Sequence, residues 1–162
     1  MAIVALTPDH VWEEIEKNVF GVIGMVTAEG EARTVGIVYV VRERRLYIGT
    51  GSDTWKVRHI RQNPHVSLTI PVHKGIPLMP WIKIPAATIT FCGEARIIES
   101  ADAPQEILEA IYRGMAAGDE LMSTTCLIEV TPVKDFVTYG IGIPMMKMRD
   151  PAQSRGRVAV GV

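Results

Sequence analysis

The chain has 162 residues, of which 48 % are hydrophobic and 22 % are charged, and its formal net charge is −1. This length suits one domain with a sizeable core. The balanced charge argues against a nucleic-acid-binding protein, which would carry a basic field, and no apolar run is long enough to span a bilayer. The N-terminal stretch lacks the basic start of a signal peptide, so we expect a cytoplasmic protein.

Turn residues and apolar periods divide the chain into six strands and three helices. Thr7-Pro8-Asp9 predicts the first helix start, because Thr caps well, Pro fits the first turn and Asp suits the dipole. The predicted strands are 20–27, 32–42, 46–50, 65–72, 87–99 and 124–139, and the predicted helices are 7–18, 54–62 and 103–117. The absence of βαβ alternation predicts a small antiparallel barrel rather than a doubly wound sheet.

Several details refine this outline. The first three strands are predicted to follow one another as a meander. Gly93, inside the fifth strand, predicts a bulge or a bend.

The loop 73–85 is apolar and is expected to be covered by its own domain, a ligand or a second subunit. In the last helix, Tyr112 falls on the apolar face. Residues 1–140 are predicted to form the domain, and residues 141–162, which lack a clear period, an arm of the same domain.

The predicted helix 54–62 carries a basic residue near its N-terminus, where one is not expected. Lys56 lies in its first turn, where the helix dipole favours acidic residues. An anion bound at this helix start would explain the lysine. Ser52 and Thr54 would then add hydroxyl donors, and Arg33 a guanidinium if the second strand lies beside the third. From local chemistry alone, a solvated basic surface that binds nothing is an equally good explanation.

Motifs for other chemistry are missing. The four histidines are scattered and form no zinc motif. No nucleophile elbow or Walker lysine is present. The sequence Gly49-Thr50-Gly51 lacks the third glycine and the parallel-sheet context of a dinucleotide site. Cys92 and Cys126 lie in apolar, strand-like sequence, which predicts buried free thiols in a reducing compartment.

Three stretches together resemble the pyridoxamine 5'-phosphate oxidase-like, flavin-binding split-barrel superfamily: FGVIGMVTAEGEARTVGIVYV, RRLYIGTGSDTWKVRHIRQNPHVSLTI and TITFCGEARII. The resemblance covers residues 20–98. It implies a mainly β fold with a few helices, a six-stranded antiparallel split β-barrel of Greek-key type. It also implies a homodimer that holds flavin mononucleotide at the subunit interface and acts on a small molecule. The implied cofactor-binding residues are Arg33, Thr34, Val35, Gly36, Gly49, Thr50, Thr54, Trp55, Lys56 and Thr88.

Departures from the family pattern point to a relative of the oxidase rather than the oxidase itself. Val38 stands where the oxidase has a basic residue, Trp55 where it usually has Arg, and Thr88 where a Gln reaches the partner's flavin. The C-terminal substrate-binding segment of the oxidase has no counterpart in 140–162.

Other cofactors of the same fold stay open at this point. A deazaflavin coenzyme with an acidic tail would suit Arg58 and Arg61. A non-catalytic flavin carrier would bind the cofactor without turnover. A haem binder would need an axial ligand from His59, His65 or His73.

Overall fold

The computed structural model of the chain describes residues 6–73, 86–112, 123–144, 147–148 and 150–161. The helices are α1 (Pro8–Lys17), α2 (Trp55–Gln62), α3 (Gln105–Ile111) and α4 (Pro151–Ser154), with a 3-10 turn at Ser100–Asp102. The strands are β1 (Phe20–Val26), β2 (Ala32–Val38), β3 (Val40–Arg42), β4 (Arg45–Gly51), β5 (His65–Val72), β6 (Ala87–Glu99), β7 (Thr125–Tyr139) and β8 (Arg155–Ala159). Among the described residues, none of the helices has the length and apolar character that a bilayer crossing requires.

All eight strands belong to one antiparallel sheet, ordered β2-β1-β5-β6-β7-β4-β3, with β8 on the remaining edge of β7. The sheet curls round a single main core, which confirms the mainly β split barrel. The strand count differs from the predicted six for two reasons. The predicted second strand divides at Tyr39 into β2 and β3, and the C-terminal arm contributes α4 and β8.

Tyr39 marks a corner that the predicted meander did not include. Its N–H still donates to Val19 O at 3.0 Å, and its buried hydroxyl donates to Ile15 O at 2.8 Å. Beyond Tyr39 no β1 backbone remains to pair with, because β1 begins at Phe20. The chain therefore turns away, and β4 pairs with β3 and β7 instead. The predicted second strand, 32–42, therefore lies beside the third strand only over its last residues, β3, whereas its β2 part approaches β4 without pairing.

Two apolar clusters hold the helices in place. The main core takes Val11, Trp12 and Ile15 of α1, and Trp12 meets Phe136 edge to face at 5.4 Å between ring centroids. A smaller cluster lies on the outer side of the sheet, where α3 packs on β4 and β7. Its buried members are Tyr47, Ile107, Leu108 and Leu127. This second cluster fixes the end of α3 next to β4.

Strand β6 shows both the predicted irregularity and a corrected cysteine. The register against β7 shifts between Thr90 and Cys92, close to the predicted bulge. At Gly93 a Cβ would lie 2.6 Å from Val130 Cγ1, so the glycine is needed for close approach. Cys126 is a buried free thiol as predicted, but Cys92 is exposed. The side chains of β6 alternate, and Phe91 faces the core, so Cys92 faces outward.

Parts of two predictions lie outside the described residues. They are most of the apolar loop 73–85 and the second half of the helix predicted over 103–117.

Candidate functional site

A cleft of about 530 Å³ opens between β2, β4, α2 and the end of α3. Its volume is within the range of roughly 300–1,000 Å³ typical of small-molecule sites. We call it the Lys56 cleft, and its lining includes Val38, Gly36, Gly49, Lys56 and Tyr112. The structure thus brings together three of the predicted cofactor-binding residues: two glycines on different strands and the lysine at the helix start.

Helix α2 directs Lys56 towards this cleft and provides no acidic residue to pair with its charge. Val57 and Ile60 are buried, which fixes the rotation of the helix and leaves Lys56 half-buried. The first turn contains no acidic residue. Thr54 occupies the N-cap but does not cap the helix, because its hydroxyl donates to Gly51 O at 2.9 Å. Within the described residues Lys56 makes no ion pair. The positive helix start and the ammonium group therefore both lack an anion.

The two glycines in the cleft lining allow neighbouring side chains to pack closely against the strands. A Cβ on Gly49 would lie 2.7 Å from Ile111 Cγ2, and one on Gly36 would lie 3.0 Å from Phe20 Cε2. Any side chain at Gly49 would collide with the end of α3, so the glycine is required by the packing. At both positions a neighbouring side chain packs directly on the backbone, Ile111 on Gly49 and Phe20 on Gly36.

Two hydroxyl groups near the cleft are shielded from solvent. Tyr112 Oη makes no hydrogen bond among the described residues, and Ser52 Oγ lies against the thiol of Cys126. Buried polar atoms in native proteins are usually paired, so unpaired ones call for an explanation. The Thr50 hydroxyl lies 3.4 Å from that of Thr54. Sequence reasoning missed Tyr112, because helical spacing placed it on an apolar face and carried no signal for its hydroxyl.

The thiol of Cys126 lies close to the Ser52 hydroxyl. Burial raises the pKa of Cys126, while the Ser52 hydroxyl and, more weakly, the Lys56 charge act in the opposite direction. The thiol is therefore held in its neutral form at neutral pH. A neutral Cys126 does not compensate the charge of Lys56, and it is a poor nucleophile.

Arg33 and Thr34 line a different cleft, of about 540 Å³, on the outer face of the sheet. We call it the Arg33 cleft, and its lining also includes His65, Cys92 and Lys134. The Arg33 guanidinium donates to a Glu31 carboxylate oxygen at 2.8 Å. The two cations that were predicted to share one anion therefore line separate clefts.

Three other predicted cofactor-binding residues do not line the Lys56 cleft. Val35 packs against the main core. Trp55 is partly exposed at the start of α2, and its ring lies 5.6 Å from that of His59 between centroids. Thr88, on β6, is paired with Pro71 and Tyr139 and does not line the Lys56 cleft. Its assignment requires a second subunit and stays a prediction.

The rim of the Lys56 cleft is apolar and exposed. Val19 is 63 % exposed, Phe20 48 % and Val38 66 %. Phe20 and Val38 are direct partners in the β1–β2 ladder, so the exposed side chains are neighbours. Adjoining apolar side chains of this kind mark surfaces that bind a ligand or another chain. Within the described residues, no three His, Cys, Asp or Glu side chains converge on a possible metal position.

Several solved structures share the fold. A proposed pyridoxamine 5'-phosphate oxidase from Listeria innocua is 21 % identical, covers 77 % of this chain and 92 % of its own, and has a TM-score of 0.61. A protein named F420 reductase is 18 % identical, with coverages of 75 % and 91 % and a TM-score of 0.55. The haem storage protein HutZ from Vibrio cholerae is 14 % identical, with coverages of 88 % and 98 % and a TM-score of 0.64.

At these identities the similarity to solved structures establishes the fold alone. No curated protein sequence matches the chain significantly. The family model of pyridoxamine 5'-phosphate oxidase, however, matches residues 7–136, which is most of the chain and includes both clefts. The chain therefore belongs to the pyridoxamine 5'-phosphate oxidase family, as the strand and helix motifs predicted.

Proposed function

We propose that this protein binds flavin mononucleotide in the Lys56 cleft and is a flavin-dependent oxidoreductase that acts on a small molecule. The observation that carries the proposal is Lys56 itself. It lies in an acid-free first turn, without an ion pair, and opens into a cleft of suitable size. A phosphate monoester would supply the missing negative charge and accept charge-assisted hydrogen bonds.

The chemistry of the donor set fits such a ligand. The Lys56 ammonium, the first-turn N–H groups of α2 and the Ser52 hydroxyl are donors for the phosphate. The flat ring would lie along the wall of the cleft that Gly36, Ile37 and Val38 of β2 form. Aliphatic side chains of the cleft would cover the ring faces and exclude water. Bound flavin supplies the hydride chemistry, while the protein supplies binding, orientation and electrostatics. Arg33 is left out of the proposed contacts because it lines the other cleft.

The proposed assembly is a homodimer with the cofactor at the subunit interface. The exposed apolar rim of Val19, Phe20 and Val38 supports it. A second copy placed over this rim would bury the apolar side chains and close the cleft to water. Residues of that copy, Thr88 among them, are then available to the bound ring.

A flavin titration tests the proposal. We expect purified protein to show the visible absorption of oxidised flavin, or to acquire it with added flavin mononucleotide. Lys56→Ala removes a hydrogen bond to a charged group, worth roughly 1.5–3 kcal/mol, so affinity should fall by about 10- to 150-fold. Arg58→Ala is the matched control, because Arg58 is exposed on the same helix and outside the cleft lining. Protein that stays colourless in excess flavin would refute the proposal, and equal losses in both variants would refute the assignment to Lys56.

A deazaflavin coenzyme is the second candidate. Arg58 is exposed and makes no ion pair among the described residues, so it is available to an acidic tail. Arg61 is less available, since it donates to Glu99 at 2.7 Å. Parallel titrations with both coenzymes separate the two functions, and tight flavin binding without deazaflavin binding would eliminate this one. Haem has less support, because no histidine lines the Lys56 cleft.

A further inference from the structure

Tyr112 occupies a fixed position beside the proposed flavin site. It follows the last turn of α3, and its N–H donates to Leu108 O at 2.9 Å. Ile107 and Leu108 anchor that helix in the small outer cluster. The Tyr112 ring therefore lies over β4, with its hydroxyl oxygen 3.2 Å from the place where a Cβ on Gly49 would be. The same residue lines the Lys56 cleft.

The chain has four tyrosines, and three of them donate to a partner. Tyr39 donates to Ile15 O at 2.8 Å, Tyr47 to Glu129 Oε2 at 2.9 Å, and Tyr139 to Met148 O at 2.6 Å. The Tyr112 hydroxyl alone is both shielded and without a partner among the described residues. A shielded, unpaired hydroxyl is unfavourable in the unliganded protein, so any ligand that pairs it gains affinity.

This hydroxyl makes no hydrogen bond to an acceptor among the described residues. Ile111, which lies beside it over Gly49, is aliphatic. Lys56 is a cation and can only donate. A ligand in the cleft would supply an acceptor that the described residues do not. Gly49 lies near the end of β4, from which the chain runs directly into the loop and helix start that carry Lys56. Tyr112 is thus placed on the phosphate side of the proposed site.

We propose that the Tyr112 hydroxyl donates a hydrogen bond to the polyol phosphate chain of flavin mononucleotide, which makes Tyr112 a further ligand-binding residue. The inference rests on the proposed flavin site. Because the hydroxyl is closed to solvent in the unliganded protein, the ring shifts as the ligand enters. Binding then replaces an unpaired hydroxyl by a paired one, which favours the liganded state.

The variant Tyr112→Phe tests this assignment, because it removes the hydroxyl and keeps the ring. We expect its affinity for flavin mononucleotide to fall about tenfold, the effect of one hydrogen bond to a charged acceptor. Lumiflavin, which has the ring without the polyol phosphate chain, should bind wild type and variant within about twofold of each other. The unliganded variant should melt at the same or a higher temperature, because it no longer buries an unpaired hydroxyl.

Tyr139→Phe is the matched control, since it loses a hydroxyl that is already paired outside the cleft. We expect a lower melting temperature and unchanged flavin affinity. Unchanged flavin mononucleotide affinity in Tyr112→Phe would overturn the assignment, as would an equal loss of lumiflavin affinity. A fall in both the melting temperature and the affinity of Tyr112→Phe would indicate a structural role and also overturn it. If wild type binds no flavin, the proposed function fails first and this inference with it.

Discussion

The two clefts are nearly equal in volume, about 530 and 540 Å³, and each is lined by a cation that the sequence pattern placed in one anion site. They differ in how their polar groups are paired. Lys56 makes no ion pair within the described residues and lies at a helix start without an acidic residue. Arg33 is exposed and is already paired with Glu31. Volume therefore does not distinguish a binding site here, whereas the combination of an unpaired lysine with a helix start that lacks an acidic residue does.

The residues that form the walls and rims of the two clefts also differ. The Lys56 cleft has an unpaired cation, an apolar exposed rim and a shielded hydroxyl without a partner among the described residues. The Arg33 cleft runs over the outer face of the sheet, and its lining mixes apolar side chains such as Met25, Val66 and Val133 with polar ones such as His65, Ser67 and Glu94. Polar groups on such a face are satisfied by water. The Lys56 cleft combines features that cost free energy when the cleft is empty, and this combination is what we expect of a site that evolved to be filled.

The largest expected effect of a substitution is on the assembly of the proposed homodimer. Val38 and Val26 lie at opposite ends of the β1–β2 hairpin and on the same face, and Val26 lines the Arg33 cleft. If the rim of the Lys56 cleft is the dimer interface, Val38→Asp places an unpaired charge in it, at a cost of several kcal/mol. We expect the dimer dissociation constant to rise by more than about a hundredfold, measured by analytical ultracentrifugation.

Val26→Asp serves as the control for that experiment. It introduces the same charge on the same face, but at the other cleft, and Val26 is already 38 % exposed. Its sedimentation should equal that of wild type. A wild-type protein that sediments as a monomer, or a Val26→Asp variant that dissociates as readily as Val38→Asp, would contradict an interface at the Lys56 rim.

A smaller effect is expected on stability. Gly49→Ala creates a contact of 2.7 Å with Ile111, whereas a Cβ on Gly24, in the Arg33 cleft, meets its nearest neighbour at an ordinary 3.6 Å. Overpacking of this kind costs roughly 1–3 kcal/mol. We expect urea denaturation to show that loss for Gly49→Ala, and a change within about 0.5 kcal/mol for Gly24→Ala. Equal stability of the two variants would show that α3 yields freely and that Gly49 is not needed for packing.

Local structure was largely predictable from the sequence. Strands β5 and β6 have the predicted bounds, and Thr7 caps α1 by accepting from the His10 N–H at 3.3 Å. The chain leaves α2 at Asn63-Pro64, as predicted, because proline cannot continue a helix. These features depend on side-chain alternation, caps and breakers, which act over a few residues. The position of Lys56 at a helix start was predictable for the same reason.

Features set by distant parts of the chain were not predictable in this way. The corner at Tyr39 depends on where β1 begins, and it separates β2 from β4. The Tyr112 hydroxyl lies beside Gly49 only because α3 packs on β4, and helical spacing alone indicated an ordinary apolar face. Cys92 faces outward because the alternation of β6 places Phe91 inside. In each case the deciding contact joins residues far apart in sequence.

Arg33 is the residue on which the family resemblance and the geometry disagree most, and it carries the smallest expected effect. The resemblance implies that Arg33 holds the phosphate together with Lys56. In the structure its guanidinium is exposed and paired with Glu31 at 2.8 Å, in the other cleft. Exposed charges contribute roughly 0.2–1 kcal/mol, so Arg33→Ala should weaken flavin binding by no more than about fivefold. In the double variant with Lys56→Ala, the two losses should add. A loss as large as that of Lys56→Ala, with strong coupling between the two, would instead show that Arg33 leaves Glu31 for the phosphate and that the two clefts act as one site.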